Sequence, residues 1–253
     1  MTKQRLQRLL ARILHITGLE YFPLHVRHGF AAGARWTLYP WTAYWRGGYE
    51  PDVARAIDRL GDLTGKTCWD LGAHYGYYSI VLARRTGPTG QVVAVEPFPG
   101  NYARLARHHR MNGLPWLKTY EAAVSDTAGT AEFFSDLSAG DTTVHLAYEG
   151  ETRTAMTPTI TVRTLRLDDL VATGEVRPPD FIKLDVEGHG HRALQGAIES
   201  IRRSRPAILM GFHSPQEVAG TEQLLLPLGY RFHPVSGTDL PGRIGSDYLL
   251  QAT

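Results

Sequence analysis

The sequence is poor in cysteine and lacks a long apolar run. One cysteine among 253 residues excludes an intramolecular disulfide bond. Cys68 lies in the apolar stretch "KTCWDLG", which favours a buried strand residue over a nucleophile. No stretch approaches the ~20 consecutive apolar residues that a membrane-spanning helix needs, so we expect no stable membrane insertion.

No charge of one sign dominates. The 27 basic and 25 acidic residues leave a net charge of +2, and no block of lysine and arginine stands out. This balance gives no reason to expect nucleic acid as a partner. With 43% hydrophobic residues, the chain can bury a full core, and its length suits one large domain with an extension.

Arginines interrupt the apolar residues at the N-terminus. Arg5, Arg8 and Arg12 break up "RLQRLLARILHI", so a signal-peptide apolar region is not expected. The pattern predicts an amphipathic basic helix that packs over the domain itself, with a membrane surface, a partner or a homodimer contact left open. We take a cytoplasmic location as the default. Residues 1–48 are expected to form a helical and aromatic extension, and residues 49–253 a single binding domain.

From about residue 50, strand-like and helical patterns alternate. The segments "TCWDLG", "QVVAVEP", "FIKLDVEG" and "PAILMGFH" are short, mainly apolar runs typical of buried strands, whereas "SIVLARR", "NYARLARHHRMN" and "RALQGAIESIRR" have helical spacing. Strands without alternating polarity, joined by helices, indicate a mostly parallel, doubly wound α/β sheet.

Two segments depart from this alternation. "TAEFFSD" and "ITVRTLRLDDL" predict an inserted antiparallel pair on either side of a polar loop, residues 137–158. Near the end of the chain, "YRFHPV" and "DYLLQA" predict an antiparallel hairpin that closes the sheet.

The stretch "CWDLGAHYGYYS" predicts a strand, a loop and the start of a helix. Asp70 ends the strand, and Gly72 and Gly76 allow the backbone to approach a ligand closely. Glu96 stands at the end of the next strand, where a carboxylate can accept hydrogen bonds from both ribose hydroxyls. The pattern therefore predicts a nucleoside-bearing cofactor.

The glycine spacing excludes the commonest such cofactors. The dinucleotide fingerprint requires glycines where His74 and Tyr77 stand, and no Gly-Lys-Ser/Thr follows to make a phosphate loop. S-adenosylmethionine, which has no pyrophosphate and carries a sulfonium and an amino-acid tail, suits an acidic glycine turn better. The alternative is that both glycines only shape a tight strand-to-helix turn.

An ordered series of motifs resembles the FkbM-type methyltransferases. The motifs are "GGYEP", "CWDLGAHYGYYSIVLA", "VVAVEPFPGNYARLARHHRMN", "EAAVSD", "VRTLRLDDLV", "PDFIKLDVEGHGHRALQGA" and "RPAILMGFH". The resemblance covers residues 47–213 and implies a Rossmann-like class I fold that uses S-adenosylmethionine. Many members of the family are O-methyltransferases of natural products and glycans.

The resemblance also implies roles for individual residues. Those near the methionine part and the ribose are Glu50, Asp70, Gly72, His74, Gly76, Tyr77, Glu96, Pro97, Phe98, Asn101 and Asp185. Those at the adenine are Ala123, Val124, Ser125 and Asp126. The family usually has asparagine in place of His74.

Two family glutamates are missing around the expected acceptor pocket. Gly190 and Gly211 occupy their positions, whereas Asp185, Glu187 and His213 remain. Since divalent ions prefer several carboxylates, the sequence predicts no metal site, although Asp185 and Glu187 could still hold an ion. The two glycines also predict a roomier acceptor pocket, with the loss of a catalytic base as the equal alternative.

A hydroxyl acceptor needs a group that takes its proton. His213, at the end of a strand, is the first candidate, with His189, His191 and His145 behind it. Asp185 and Glu187 are assigned to the catalytic site, the alternative being that they cap the following helix. The aromatic stretch "RWTLYPWTAYW" either packs in the core or stacks on the acceptor.

The sequence thus predicts an S-adenosylmethionine-dependent O-methyltransferase that acts on a hydroxyl of a sugar or secondary metabolite. The alternative is a methyltransferase fold that binds the cofactor but catalyses another step, such as a cyclisation, or serves as a non-catalytic partner. A nucleic-acid methyltransferase and a nicotinamide oxidoreductase fit less well.

Overall fold

The computed structural model describes residues 13–14, 16–38, 44–135, 144–146, 159–237 and 243–253. The strands are β1 (Pro23–His25), β2 (Arg35–Thr37), β3 (Thr67–Leu71), β4 (Gln91–Glu96), β5 (Leu117–Glu121), β6 (Ala123–Val124), β7 (Gly129–Ser135), β8 (Val144–Leu146), β9 (Thr159–Leu165), β10 (Phe181–Leu184), β11 (Ala207–Gly211), β12 (Tyr230–Pro234) and β13 (Asp247–Ala252). The α-helices are α1 (Pro51–Asp58), α2 (Tyr77–Thr86), α3 (Pro99–Asn112), α4 (Leu167–Ala172), α5 (Gly190–Gln195), α6 (Ile198–Ser204) and α7 (Pro215–Leu225). Short 3-10 turns cover Leu19–Tyr21, Tyr44–Arg46 and Leu226–Leu228.

Seven strands form the main sheet, in the order β12-β13-β11-β10-β3-β4-β5. The five strands from β11 to β5 are parallel, and β13 runs antiparallel to both of its neighbours. This arrangement confirms the predicted Rossmann-like sheet with its C-terminal antiparallel hairpin. It also brings the carboxyl ends of β3, β4, β10 and β11 to one edge, where ligands bind in open parallel sheets.

Helices cover both faces of this sheet because its central strands are mainly apolar and buried on both sides. Every residue of β3 and β10 is buried. Cys68 points into the core shared with α2 and α3, whereas its neighbour Trp69 points into the core shared with α4, α5 and α6. The prediction that Cys68 is a buried strand residue is thereby confirmed.

The described part of the N-terminal extension packs against the sheet domain. Strands β1 and β2 form an antiparallel pair. Trp36 on β2 is 1% exposed, and its ring stacks on His108 of α3 with the ring centres 3.7 Å apart. Tyr44 stacks on Tyr77 of α2, with the ring centres 5.2 Å apart. Trp36 and Tyr44 are therefore core residues, as the packing interpretation of the aromatic stretch predicted.

Part of the predicted extension lies outside the described residues. This applies to the arginines of the predicted basic helix and to two of the aromatic residues, namely Arg5, Arg8, Arg12, Tyr39 and Trp41. Within the part of the chain that the structure describes, no helix is long and apolar enough to cross a membrane.

The inserted antiparallel pair is confirmed. Strands β7 and β9 pair antiparallel in a second sheet of order β6-β9-β7-β8. Strand β8 falls inside residues 137–158, so the prediction of an uninterrupted loop there was wrong. The remaining residues of that segment lie outside the described ones.

The sequence pattern "RALQGAIESIRR" predicted one helix, and this prediction was also wrong. Helix α5 ends at Gln195, and α6 begins at Ile198. The physical reason is a close backbone contact, because a Cβ at Gly196 would lie 2.0 Å from the carbonyl oxygen of Ser125. The chain turns at Gly196 so that these two backbones can touch.

Candidate cofactor and acceptor site

Two glycines shape the loop between β3 and α2. Gly72 has φ +83°, and a Cβ on it would lie 1.9 Å from the carbonyl oxygen of Asp185. Gly76 has φ +85°, and its Cβ would lie 2.5 Å from Cδ1 of Leu105. Both positions thus combine a left-handed backbone with a close approach, which only glycine tolerates. The loop after β3 is thereby held directly beside the end of β10.

Glu96 ends β4 and is 5% exposed. Its Oε2 accepts the backbone N–H of His74 at 2.8 Å. Its Oε1 accepts the backbone N–H of Phe98 at 2.9 Å and the side-chain amide of Asn101 at 3.2 Å. A carboxylate offers about four acceptor sites, so acceptor capacity remains on Oε2 for a ligand hydroxyl. Burial raises the pKa of Glu96 to about 7, against the effect of these three hydrogen bonds.

Asp70 lies on β3 and is 1% exposed. Its Oδ2 accepts the hydroxyl of Ser79 at 2.5 Å, whereas Oδ1 is buried without a hydrogen-bond partner among the described residues. Burial raises the pKa of Asp70. A buried acceptor atom left open is costly unless a ligand or an ion satisfies it. A buried carboxylate oxygen of Asp70 without a hydrogen-bond partner among the described residues, together with the remaining acceptor capacity of Glu96, is consistent with a ligand that has a cationic end and a ribose, as S-adenosylmethionine has.

Sequence reasoning missed Lys183, which stands opposite Asp70 in the parallel register of β10 and β3. Lys183 is 6% exposed, and its Nζ lies 3.3 Å from Oδ2 of Asp185 and 4.8 Å from the ring centre of Tyr78. The hydroxyl of Tyr78 donates in turn to Oε2 of Glu50 at 2.7 Å. A charged residue inside the apolar run "FIKLD" is the signal that could have revealed this cluster.

The side chains of His74 and Tyr77 turn towards the aromatic core. The ring of Tyr77 is 2% exposed and packs between Trp36 and Tyr44. Nδ1 of His74 lies 3.0 Å from the hydroxyl of Tyr44, and burial lowers the pKa of His74 to about 4, so its imidazole is neutral at pH 7. Their cofactor contacts, like those of Glu50, stay predictions.

The residues predicted at the adenine lie where the inserted sheet meets the main sheet. Ala123 and Val124 form β6 and are buried. Ser125 lies 3.1 Å from Nε2 of His189, and Asp126 accepts a hydrogen bond from Arg192 at 3.2 Å. Three further residues that the sequence predicted near the ribose are Pro97, Phe98 and Asn101. The first two lie just before α3, and Asn101 lies in its first turn.

Three side chains converge at the ends of β10 and β11. Nε2 of His213 lies 3.5 Å from Oδ1 of Asp185 and 3.6 Å from Oε2 of Glu187. One ligand atom from each residue lies within 4.8 Å of the others, a spacing that a divalent cation could also share. We call Asp185, Glu187 and His213 the acceptor cluster. The structure thus brings together the three residues that the sequence assigned to catalysis.

Electrostatics within the acceptor cluster favour charged side chains. Burial works against the imidazolium of His213, but the contact with Glu217 and the charges of Glu187 and Asp185 raise the pKa of His213 to about 9. Burial would raise the pKa of Asp185, yet Lys183 and His213 lower it overall. At pH 7 the cluster therefore holds the imidazolium of His213 beside the ionised carboxylate of Asp185.

The two glycines in place of family glutamates have different surroundings. A Cβ at Gly190 would lie 2.4 Å from Cε of Met210 and 2.6 Å from Oε1 of Glu217, so the space beside Gly190 is filled by these two side chains. The roomier acceptor pocket stays a prediction. A Cβ at Gly211 would lie 3.2 Å from Oδ1 of Asp247 and 3.8 Å from Oδ1 of Asp185. Gly211 does border the acceptor cluster.

The capping alternative for the two carboxylates finds no support. Helix α5 has His189 at its N-cap, without a side-chain capping bond, and the N–H of Gly190 donates to Glu217 instead. His189 itself is buried beside Ser125, and burial lowers the pKa of His189 to about 4. The side chain of His145 lies outside the described residues.

The sheet order and the ligand edge define a class I S-adenosylmethionine-dependent methyltransferase fold. The chain belongs to the FkbM methyltransferase family, since residues 70–232 match the methyltransferase FkbM domain. This confirms the resemblance that the sequence motifs indicated, and with it the cofactor class.

Individual relatives are distant. The chain is 28% identical over 154 residues to the hexuronic acid methyltransferase AglP of Haloferax volcanii, which covers 60% of this chain and 58% of that protein. Among solved structures, it is similar to an FkbM methyltransferase from Methylobacillus flagellatus KT, with 17% identity and a TM-score of 0.47 over 73% of this chain and 43% of the other. It is also similar to the O-methyltransferase TomG from Streptomyces achromogenes, with 14% identity and a TM-score of 0.46 over 80% and 78% of the two chains.

Proposed function

We propose that this protein transfers the methyl group of S-adenosylmethionine to a hydroxyl of a sugar or sugar-bearing metabolite. The observation that carries the proposal is the acceptor cluster, because it stands at the same sheet edge as the cradle formed by Asp70, Gly72 and Glu96. The family membership and the distant relative that acts on a hexuronic acid support the same reading.

The cradle residues supply binding and orientation. Glu96 would hold a ribose hydroxyl through Oε2, and the open Oδ1 of Asp70 would accept from the cationic end of the cofactor. The bound cofactor supplies an electrophilic methyl group. Since transfer requires in-line attack, the close contact between Gly72 and the carbonyl of Asp185 matters: it fixes the distance between the cradle and the acceptor cluster.

The acceptor cluster would orient the hydroxyl and take its proton. Carboxylate oxygens of Asp185 and Glu187 can accept a hydrogen bond from a sugar hydroxyl. His213 would remove the proton through Nε2, the ring nitrogen that faces both carboxylates, once that nitrogen is unprotonated. Because the pKa of His213 is raised to about 9, its unprotonated imidazole is a strong base, but only a small fraction of the protein has His213 in that form at neutral pH.

Calorimetric titration tests the cofactor assignment first. We expect both S-adenosylmethionine and S-adenosylhomocysteine to bind, and we would repeat each titration with magnesium and with a chelator. A magnesium effect would show that the acceptor cluster holds an ion. If neither compound binds, the proposal is wrong.

The acceptor class is tested with labelled cofactor and paired acceptors. Methyl glucoside and methyl glucuronide differ only at C6. Each is compared with the analogue that lacks the hydroxyl found to be methylated. We expect label in a product ether and release of S-adenosylhomocysteine, with the signal lost in the deoxy analogue. Since the acceptor cluster holds two carboxylates, we expect the neutral glycoside to react faster than the glucuronide. Undiminished label in the product of the deoxy analogue would contradict methylation of that hydroxyl.

A further inference from the structure

Glu217 on α7 is a fully buried carboxylate that belongs neither to the cradle nor to the acceptor cluster. It is 0% exposed, and its Oε1 accepts the backbone N–H of Gly190 at 2.8 Å. Its Oε2 accepts the backbone N–H of His213 at 2.8 Å and lies 3.4 Å from Nδ1 of the same histidine. A buried carboxylate normally has a charged partner, and among the described residues the cationic group it contacts is the imidazole of His213.

The opposite ring nitrogen of His213 points the other way. Nε2 faces Asp185 and Glu187, at 3.5 Å and 3.6 Å respectively. The imidazole therefore stands between one buried carboxylate at Nδ1 and two partly exposed ones at Nε2, the side chains of Asp185 and Glu187 being 40% and 38% exposed. Asp247, which borders Gly211 from β13, is the further acidic residue near this ring.

Burial decides which nitrogen keeps its proton when the ring becomes neutral. A charge contact is stronger where water is excluded, as it is at Glu217. Asp185 is a weaker competitor because its side chain is 40% exposed and its charge is shared with Lys183. A neutral His213 would thus retain the proton on Nδ1 and expose an unprotonated Nε2.

We propose that Glu217 is the positioning residue that holds His213 as the Nδ1-protonated tautomer, with Nε2 directed at the acceptor hydroxyl. Glu217 touches neither cofactor nor acceptor and acts through His213. The inference rests on the proposed function in one respect, namely that the proton accepted by Nε2 comes from the acceptor hydroxyl. The tautomer itself does not depend on which molecule is methylated.

A helix-capping role is the competing explanation. Ser214 is the N-cap of α7, and its hydroxyl accepts the N–H of Glu217 at 3.1 Å, which is half of a capping box. In a capping box, however, the glutamate returns to the N–H of the N-cap residue itself. Here Glu217 accepts from His213, one residue earlier, and from Gly190 on another helix. Capping alone accounts for neither the contact with Nδ1 nor the one with Gly190.

Nitrogen NMR of the full-length protein with labelled histidine tests the proposal directly. The His213 resonances are assigned by their loss in His213→Ala, and the spectra are recorded well above the midpoint of their titration. We expect the wild-type protein to show a protonated Nδ1 and an unprotonated Nε2. If the wild-type spectrum shows the proton of neutral His213 on Nε2, the proposal is overturned, and no substitution of Glu217 is needed to decide it.

Substitution of Glu217 then separates positioning from capping. In Glu217→Gln, we expect the proton of neutral His213 to move to Nε2 or to divide between the nitrogens, and its titration midpoint to fall. Glu222→Gln, on the same helix, is the control, since Glu222 pairs with Arg243 instead. If Glu217→Gln lowers the melting temperature while the tautomer and midpoint stay as in the wild type, Glu217 is only a cap. Should S-adenosylmethionine fail to bind in the calorimetric titration, the proposed function would fall, whereas the tautomer result would stand on its own.

Discussion

Nζ of Lys183 lies 3.3 Å from Oδ2 of Asp185, and Lys183 stands beside Asp70 in the register of β10 and β3. Burial works against the charged amine, but the carboxylates of Asp185 and Asp70 raise the pKa of Lys183 overall. The lysine therefore stays charged. It links the cofactor cradle to the acceptor cluster electrostatically and allows two carboxylates to approach each other at the ends of adjacent strands.

Replacing Lys183 should destabilise the fold. Lys183→Met keeps the volume of the aliphatic stem but leaves the carboxylates without their cation. Removing one partner of a buried ion pair costs about 3–5 kcal/mol, and we expect about 2 kcal/mol here because the side chain of Asp185 is 40% exposed. Urea unfolding at pH 7 measures the loss.

The control for this prediction is Arg202→Met. Arg202 pairs with Glu199 at 2.8 Å, and both side chains are more than half exposed, so the loss should be less than about 1 kcal/mol. The cost of Lys183→Met should also shrink as the pH falls, because Asp70, whose pKa is raised, takes up a proton first. Equal losses in the two variants would contradict the role assigned to Lys183.

Cofactor affinity should depend on pH through Glu96. Its pKa is about 7 in the free protein, and the ionised form is the better acceptor for ribose hydroxyls. Affinity for S-adenosylmethionine should therefore rise with pH and level off above about 7. Calorimetric titration at a series of pH values measures this dependence.

Two substitutions at Glu96 provide the comparison. Glu96→Gln removes this titrating group, so the pH dependence that remains belongs to Asp70, whose pKa is also raised, or to the cofactor itself. Glu96→Ala should weaken binding about tenfold or more at pH 8, since it removes the ribose acceptor and leaves the N–H groups of His74 and Phe98 unpaired. Unchanged affinity in Glu96→Ala would rule out the ribose assignment.

Sequence patterns predicted the features that depend on local spacing. Apolar runs identified the parallel strands, and the residues from Asp70 to Gly76 identified the tight glycine loop after β3, because both signals lie within a few consecutive residues. The patterns missed contacts between segments that are distant in the chain. Glu217 reaches Gly190 across 27 positions, and no local pattern indicates that this carboxylate fills the space beside Gly190.

The same limit explains the two helices predicted as one. Helical spacing continues from Arg192 to Arg203, and the interruption comes from the backbone of Ser125, which requires Gly196 to approach it closely. A tertiary contact overrides local propensity there.

Gly72 should tolerate no side chain. Gly72→Ala combines a positive φ with a Cβ only 1.9 Å from the carbonyl oxygen of Asp185. Gly61→Ala is the matched control, since Gly61 has φ +81° but open space around it. We expect about 1 kcal/mol of destabilisation at Gly61 from the backbone alone. At Gly72 we expect a larger loss, together with at least a tenfold weaker affinity for S-adenosylmethionine. Similar urea midpoints for the two variants would show that Gly72 does not approach the carbonyl oxygen of Asp185 this closely.

His213 should set the pH dependence of methyl transfer. If neutral His213 accepts the acceptor's proton, its pKa of about 9 means that kcat/KM for the acceptor, at saturating S-adenosylmethionine, rises about tenfold per pH unit below pH 8 and levels off above about 9. His213→Ala should lower turnover ~100-fold and leave the calorimetric affinity for S-adenosylmethionine within twofold. The assay measures release of S-adenosylhomocysteine with the glycoside that gives turnover, in the presence of a chelator.

A carboxylate base would give a different profile. Asp185 has a lowered pKa, so a reaction that depends on its ionised form would already be at its plateau by pH 6. In that case Asp185→Asn would abolish transfer, while His213→Gln would retain most of it. The shape of the wild-type profile between pH 6 and pH 9 therefore distinguishes the histidine from the aspartate. The alkaline rise belongs to His213 only if His213→Gln removes it.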